Sequence, residues 1–287
     1  MVLANMAVLL AKQGKKICLV DLDVGGANAH ILYGVLKPEA TLTDFLNRKV
    51  SSLQEVAQPL SSFHGVHLIA GTGDTLKTAN MPYQTKQRLL RNLAGLDYDI
   101  ILMDVGAGTG FHALDFFMSS HLQVCVTTTD PTAIIDFYRF LKLAAVRKAL
   151  SAFLSHDVIS KTIASEEFKS MEDVLELADR TRQGARQKAE AALAGFRPCL
   201  VINQVREGSA MNKLKVRHVA RQFLGVDLPE LGEVPWDEAV QESVRSYMPV
   251  CEYAPESPAS KALKKIAGNL LTHIDKVTAQ VNSPKAD

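Results

Sequence analysis

Residues 16–34 read KICLVDLDVGGANAHILYG. Residues 17–20 are a short apolar run with β-branched members, which suits a strand buried on both faces. Two carboxylates, Asp21 and Asp23, follow at its carboxyl end. Open α/β sheets bind their ligands at that end of the strands. Gly25 and Gly26 then allow the backbone a tight turn. Taken alone, the stretch reads equally well as a buried strand whose trailing aspartates cap the next turn. A second stretch of the same design tips the balance. Residues 99–110 read DIILMDVGAGTG, an apolar run ending in Asp104 and then glycines. Two strands of this kind in one sheet point to an α/β fold that binds a ligand at the strand ends.

Outward from these two strands the pattern alternates. Residues 1–13 have helical spacing, with Leu3, Met6, Ala7, Leu10 and Ala11 on one face. Short helices are expected from Thr41 or Thr43 to Leu46 and over 52–57. A strand follows at 66–70, with a loop from Gly71 to Asp74. Further helices are expected at 84–96, 112–118 and 131–150, the last opened by Pro131. Further strands are expected at 122–128, 197–205 and 229–235. Residues 151–195 hold no strand and are rich in Lys, Arg, Glu and Ala, so they read as helices that lengthen one crossover. Arg180, Arg182, Arg186 and Lys188 there form either a docking face or a plain solvated one. Residues 212–223 read as a helix, another begins at 236–237, and 250–253 read as extended. A last helix spans about 257–281, with Leu263, Ile266, Leu270, Leu271, Ile274 and Val277 on one face, and the tail after it reads as frayed. The alternation implies a mainly parallel, doubly wound sheet flanked by helices. No internal repeat or linker-like tract breaks the chain, so one domain over residues 1–287 is expected.

Composition narrows the function classes. The 287 residues are 47% hydrophobic and 22% charged, with a formal net charge of +1. That balance exerts no global pull toward nucleic acid or an anionic membrane. Cys18, Cys125, Cys199 and Cys251 form no C-x-x-C pair. They read as small buried hydrophobes in a reducing cytosol, with metal binding disfavoured. No apolar run approaches the roughly 18 to 20 residues that span a bilayer. The apolar start lacks a basic segment and a cleavage site and reads as a helix rather than a signal peptide. A cytoplasmic protein is expected.

The stretches LVDLDVGGANAHILYG (19–34), IILMDVGAG (100–108), VTTTDPTAIIDFY (126–138), LVINQV (200–205) and LGEVPWDEAVQESV (231–244) together resemble the MinD/ParA group of deviant Walker A P-loop ATPases, in that group's order. Within it the chain looks most like FlhG-like (FleN-like) proteins, which control flagellar number and placement. The resemblance implies ATP and Mg²⁺ as cofactors and an ATP-dependent homodimer that acts as a positional switch. It matches Asp23 to the aspartate that positions the attacking water. Asp21 matches a neighbouring carboxylate near Mg²⁺, Asp104 the Walker B aspartate that holds Mg²⁺ through water, and Gly108 the glycine that meets the γ-phosphate. Asn203 matches the asparagine bonded to adenine, and Pro235 lies in the loop that packs on the base. Asp130 and Asp136 fall in the segment used at the dimer interface. The plainer readings are that Asn203 terminates a strand and Pro235 makes an ordinary turn.

One departure from the family is severe. The chain contains no G-x-x-x-x-G-K-[ST] and no early signature lysine, so the cradle and charge that hold the phosphates are missing from it. The family places that loop directly before the helix that here reads MVLANMAVLLA. The expectation is a chain truncated at its amino end, with Met1 internal to a longer protein. The alternative is a variant that gave up nucleotide chemistry and kept its docking surfaces. As written, the chain is expected to bind ATP poorly or not at all. The last helix matches a segment that relatives use to reach the inner membrane. Its lack of Trp and Phe anchors favours packing on the sheet instead. A protein partner on residues 151–195 and a ParA-like DNA-partition role complete the alternatives. The near-neutral charge disfavours nucleic acid.

Overall fold

The structure, a computed structural model, describes residues 1–23, 26–71, 81–108, 110–209 and 213–282, with backbone only at 213–216, 219, 223 and 280–282. Gly25, residues 72–74 of the expected loop, Asn212 and the tail from 283 lie outside the described residues. The chain divides into two compact units, Met1–Ser119 with Val234–Thr272, and Ser120–Glu233 with His273–Asp287.

In the first unit four strands lie in the order β2-β3-β1-β4. They are β1 (Ile17–Asp21), β2 (Gln58–Pro59), β3 (Val66–Ile69) and β4 (Ile100–Asp104). β1 is parallel to both β3 and β4, while β2 runs antiparallel to β3. All five residues of β1 are buried, as expected for an interior parallel strand. Successive side chains of a strand point to opposite faces. Cys18 and Val20, with Leu22 beyond the strand, join a core with Phe45, Leu53, Val56, Leu89, Leu93 and Phe116. That core is drawn from helices α2 (Leu42–Leu46), α3 (Tyr83–Ala94) and α4 (Phe111–Ser119) and from residues 53–56. Ile17, Leu19 and Asp21 form the opposite set, so the same alternation that builds the core turns Asp21 to the other face. Helix α1 (Val2–Ala11) packs on β1, β3 and β4. It is buried on nearly every side, including Val2, Ala4, Asn5, Val8 and Leu9, and not on the one face that its spacing implied.

The second unit holds β5 (Gln123–Thr127), β6 (Pro198–Val205) and the first four residues of β7 (Glu230–Pro235), in the order β5-β6-β7. β5 and β6 are parallel. Their crossover is long: α5 (Pro131–Leu150), α6 (His156–Ser165), α7 (Met171–Thr181) and α8 (Ala185–Ala194). α5, α7 and α8 pack on one another through Leu141, Ala145, Val174, Ala178, Ala185 and Ala189, all buried. Helix α9 (Lys213–Leu224) follows β6. After β7 come α10 (Glu238–Arg245), α11 (Val250–Tyr253) and α12 (Pro258–Asn282).

The parallel α/β architecture read from the sequence is present, with differences at short elements. Residues 52–57 form turns rather than a helix. Residues 250–253, expected to be extended, are the helix α11, whose Cys251 N–H is taken by the Asn5 side chain at 2.9 Å. A distant side chain decides that element, and periodicity over four residues carries no such signal. β2 is two residues long and has Pro59 on its edge, too short for any pattern.

Candidate functional site

β1 and β4 end side by side. In their register Asp21 stands opposite Asp104, so two carboxylates meet at the carboxyl ends of adjacent parallel strands. Asp21 is 2% exposed. Its oxygens accept the N–H groups of Asp23 at 3.1 Å and Ala29 at 3.0 Å, which wraps the segment after β1 around the carboxylate. Burial pushes the Asp21 carboxyl up to about 6, and the charges of Asp104 and Asp23 push the same way against those two N–H bonds. The Leu22 N–H donates to the Asp104 carbonyl at 2.7 Å, and the Gly106 N–H to Asp104 Oδ1 at 3.2 Å. Both loops are thus laced to the same pair of strand ends.

Two glycines form the cradle. Gly106 has φ +70°, and a Cβ there would stand 2.5 Å from Asp23 Cγ. The Asp23 carboxyl therefore lies directly on the Gly106 backbone, which brings the third acidic residue onto the loop that begins at Asp104. Gly71 backs Asp21 in the same way: a Cβ would meet Ala27 Cβ at 2.5 Å and the Asp21 carbonyl at 2.9 Å. Gly108 has φ +110° and open space around it, so its backbone, and not crowding, asks for glycine. Sequence reasoning singled out neither Gly106 nor Gly71. The glycine run after Asp104 was visible, but close approach to Asp23 is a tertiary fact.

Among the described residues no three His, Cys, Asp or Glu side chains gather to hold a metal by themselves. With Asp21 held by two N–H groups, the acidic set suits a cation that arrives on phosphate oxygens and keeps its water.

Asn203 lies near the end of β6, in the second unit. Its Oδ1 is buried and has no hydrogen-bond partner among the described residues. A buried acceptor left unmade is costly, and a donor such as the exocyclic amine of a base would satisfy it. Gln204, next to it, has φ +56°. Pro235 ends β7 in the first unit, followed by Trp236, 43% exposed. Asp136 lies on the exposed side of α5, 3.4 Å from Arg139, and Asp130 precedes that helix as its N-cap residue. Asp21, Asp23, Asp104, Gly108 and Pro235 thus belong to one unit, and Asn203 and Asp136 to the other.

In the helical crossover Arg186 is not a bare docking cation. It binds Glu172, Asp179 and Glu190 and staples α7 to α8. Arg180 pairs with Glu176. All four cysteines are free and buried. Among the described residues no helix is long and apolar enough to cross a membrane.

A family described as the CobQ/CobB/MinD/ParA nucleotide binding domain matches residues 1–250. The chain belongs to that family. The antiactivator FleN of Pseudomonas aeruginosa is 25% identical over 265 residues, covering 92% of this chain and 78% of FleN. The flagellum site-determining protein YlxH of Helicobacter pylori is 34% identical over 149 residues, covering 50% of this chain and 49% of YlxH. Among solved structures, the septum site-determining protein MinD of Pyrococcus horikoshii, complexed with Mg-ADP, superposes with a TM-score of 0.64 at 21% identity, over 96% of this chain and 91% of that one. At that identity the likeness establishes the fold. The MinD/ParA-type fold and the kinship with flagellar and septal placement proteins match what the sequence motifs implied.

Proposed function

We propose that this protein is a Mg²⁺-dependent ATPase that works as a positional switch, dimerising around ATP to set the placement or number of a cellular structure. The observation that carries the reading is the acidic end of β1 and β4, where Asp21 and Asp104 are in register and Asp23 lies on Gly106. Asp104 holds the hydrated cation from the strand end. Asp23 orients the attacking water, its carboxyl fixed by the Gly106 contact. Asp21, its oxygens engaged by Asp23 and Ala29, shapes the loop that presents Asp23. Gly108 turns a backbone N–H toward the terminal phosphate. Asn203 accepts the adenine amine on its unpartnered Oδ1, and Pro235 packs on the base. Mg²⁺, when bound, neutralises charge that develops on the phosphate oxygens.

Asp130 and Asp136 serve the face between two protomers, and a protein partner docks on the exposed residues of α7 and α8, where Arg182 and Lys188 face solvent. For α12 the burial of Leu263, Ile266 and Leu270 favours packing over a membrane anchor. The kinship with FleN and YlxH supports a flagellar target. The test is Mg²⁺-dependent ATP turnover by the full-length protein. Turnover that Asp23→Ala abolishes supports the assignment; turnover that Asp23→Ala leaves intact refutes it.

A further inference from the structure

Asp237 follows the Pro235–Trp236 turn and starts α10. Its Oδ1 accepts the Ala239 N–H at 3.0 Å, the ordinary work of an N-cap carboxylate. Its other oxygen, Oδ2, accepts the N–H of Ala259 at 2.9 Å. Ala259 lies in the first turn of α12, 22 residues further along the chain. The amino end of α12 has no other use for that position. Pro258 has no N–H to satisfy, the Ser260 N–H donates to Ser257 Oγ at 3.2 Å, and the Lys261 N–H donates to the Ser257 carbonyl at 3.0 Å. The Ala259 N–H is the donor left over, and Asp237 takes it.

The bonds continue. Ser260, 2% exposed, donates from Oγ to the Val250 carbonyl at 3.0 Å. The next residue of α11, Cys251, donates its N–H to Asn5 Oδ1 at 2.9 Å, and Asn5 is buried in α1. One line of hydrogen bonds thus runs from the Pro235–Trp236 turn through α12 and α11 to α1, all inside the first unit. The carboxylate supplies its first link with one oxygen while the other caps α10. Asn or Ser at 237 offers one side-chain acceptor oxygen in place of two, and so caps one helix in place of two.

We propose that Asp237 is a positioning residue that couples the Pro235–Trp236 turn to the amino-terminal turn of α12, so that the two move as one. What the coupling transmits rests on the reading of Pro235 as the base-packing residue: adenine bound at the turn is felt at α12. The mechanical link itself stands on the two caps.

The experiment uses the whole chain and two reporters. Trp236 is the only tryptophan, so its emission reports the turn. Amide hydrogen exchange of Ala259 and Ser260 reports the helix end. Pro235→Gly loosens the turn. It is made in the parent chain and in Asp237→Asn, which keeps one cap, with Asp237→Ser as a second uncoupling variant. In the parent, Pro235→Gly speeds exchange at Ala259 by about tenfold, the loss of one charge-assisted bond. In either Asp237 variant exchange at Ala259 is already faster by about that factor, and Pro235→Gly adds nothing. Equal acceleration by Pro235→Gly in all three backgrounds overturns the proposal. ADP is then added to the full-length protein. Slower exchange at Ala259 in the parent, lost in Asp237→Asn while Trp236 still responds, supports the coupling to the base site. If ADP moves neither reporter but the variants remain non-additive, the link stands and the nucleotide reading of Pro235 falls.

Discussion

Replacing Gly106 by Ala tests the contact that places Asp23. The residue has φ +70°, and a Cβ there would lie 2.5 Å from Asp23 Cγ, 2.7 Å from Oδ1 and 2.8 Å from Oδ2. Two costs follow. The left-handed backbone costs an alanine about 1–2 kcal/mol. The clash must then be relieved, and comfortable carbon–carbon contact begins near 3.5 Å, so the Asp23 carboxyl has to retreat by about 1 Å. It is the far end of a flexible side chain, so the retreat itself is cheap in stability. It is expensive in chemistry, because a displacement of about 1 Å from the productive geometry can cost on the order of a hundredfold in rate. Gly106→Ala should therefore lower unfolding stability by about 1–2 kcal/mol, read from urea midpoints with unchanged slope. ATP turnover by the full-length protein should fall on the order of a hundredfold, with nucleotide affinity little altered. Gly108→Ala is the control for the stability arm alone, since it carries positive φ but meets no described atom within 4 Å. A Gly106→Ala variant that turns over ATP like its parent would refute the placement of Asp23 as the residue that orients water.

Further outcomes follow from the same geometry. Gly71→Ala drives a Cβ into Ala27 Cβ at 2.5 Å and the Asp21 backbone at 2.9 Å, which no side-chain rotation relieves, so it should destabilise by about 1–3 kcal/mol, as overpacking does, and by more than Gly106→Ala in the same denaturation series. Asp21, with its carboxyl raised to about 6 by burial, binds its proton more tightly folded than unfolded. The folded state therefore loses stability as pH rises from about 4 through about 6, by up to about 3 kcal/mol, and the difference between parent and Asp21→Asn stability should carry that slope and flatten above it. The buried pair Lys86–Asp115 ties α3 to α4, with Lys86 only 3% exposed. Lys86→Met removes the buried cation from beside Asp115 and should cost about 3–5 kcal/mol, while Lys86→Met with Asp115→Leu should recover most of it in thermal melts.

The parts that were legible in the sequence are those governed by local rules. β1 declared itself by an apolar run closed by Asp21, because a strand buried on both faces has no room for polar residues until it reaches its end; β4 carries the same run closed by Asp104, although only Leu102 in it is fully buried. Helix α5 was legible from Pro131, which opens it, to about Leu150, since proline fits the first turn and twenty residues give the period time to speak. What escaped depends on distant partners. Residues 250–253 are helical where Asn5 captures the Cys251 N–H. Gly106 and Gly71 look like any loop glycine until Asp23 and Asp21 pack on them. The buried face of α1 is nearly the whole helix, which spacing alone cannot distinguish from a stripe. Asp237 was readable as the start of α10, but its second bond, to Ala259, joins residues no local pattern connects. The acidic residues of the site were thus found by the rule that strands end at ligands, while the glycines that hold them in place required the fold.

The central claim is that the carboxyl ends of β1 and β4 form a Mg²⁺–ATP site. The most direct measurement is ATP turnover, with and without Mg²⁺, by the full-length protein beside its Asp23→Ala and Asp104→Ala variants. Turnover that requires Mg²⁺, disappears in Asp23→Ala with nucleotide still bound, and loses its Mg²⁺ response in Asp104→Ala is the predicted result. Turnover indifferent to both substitutions would place the chemistry elsewhere and contradict the account.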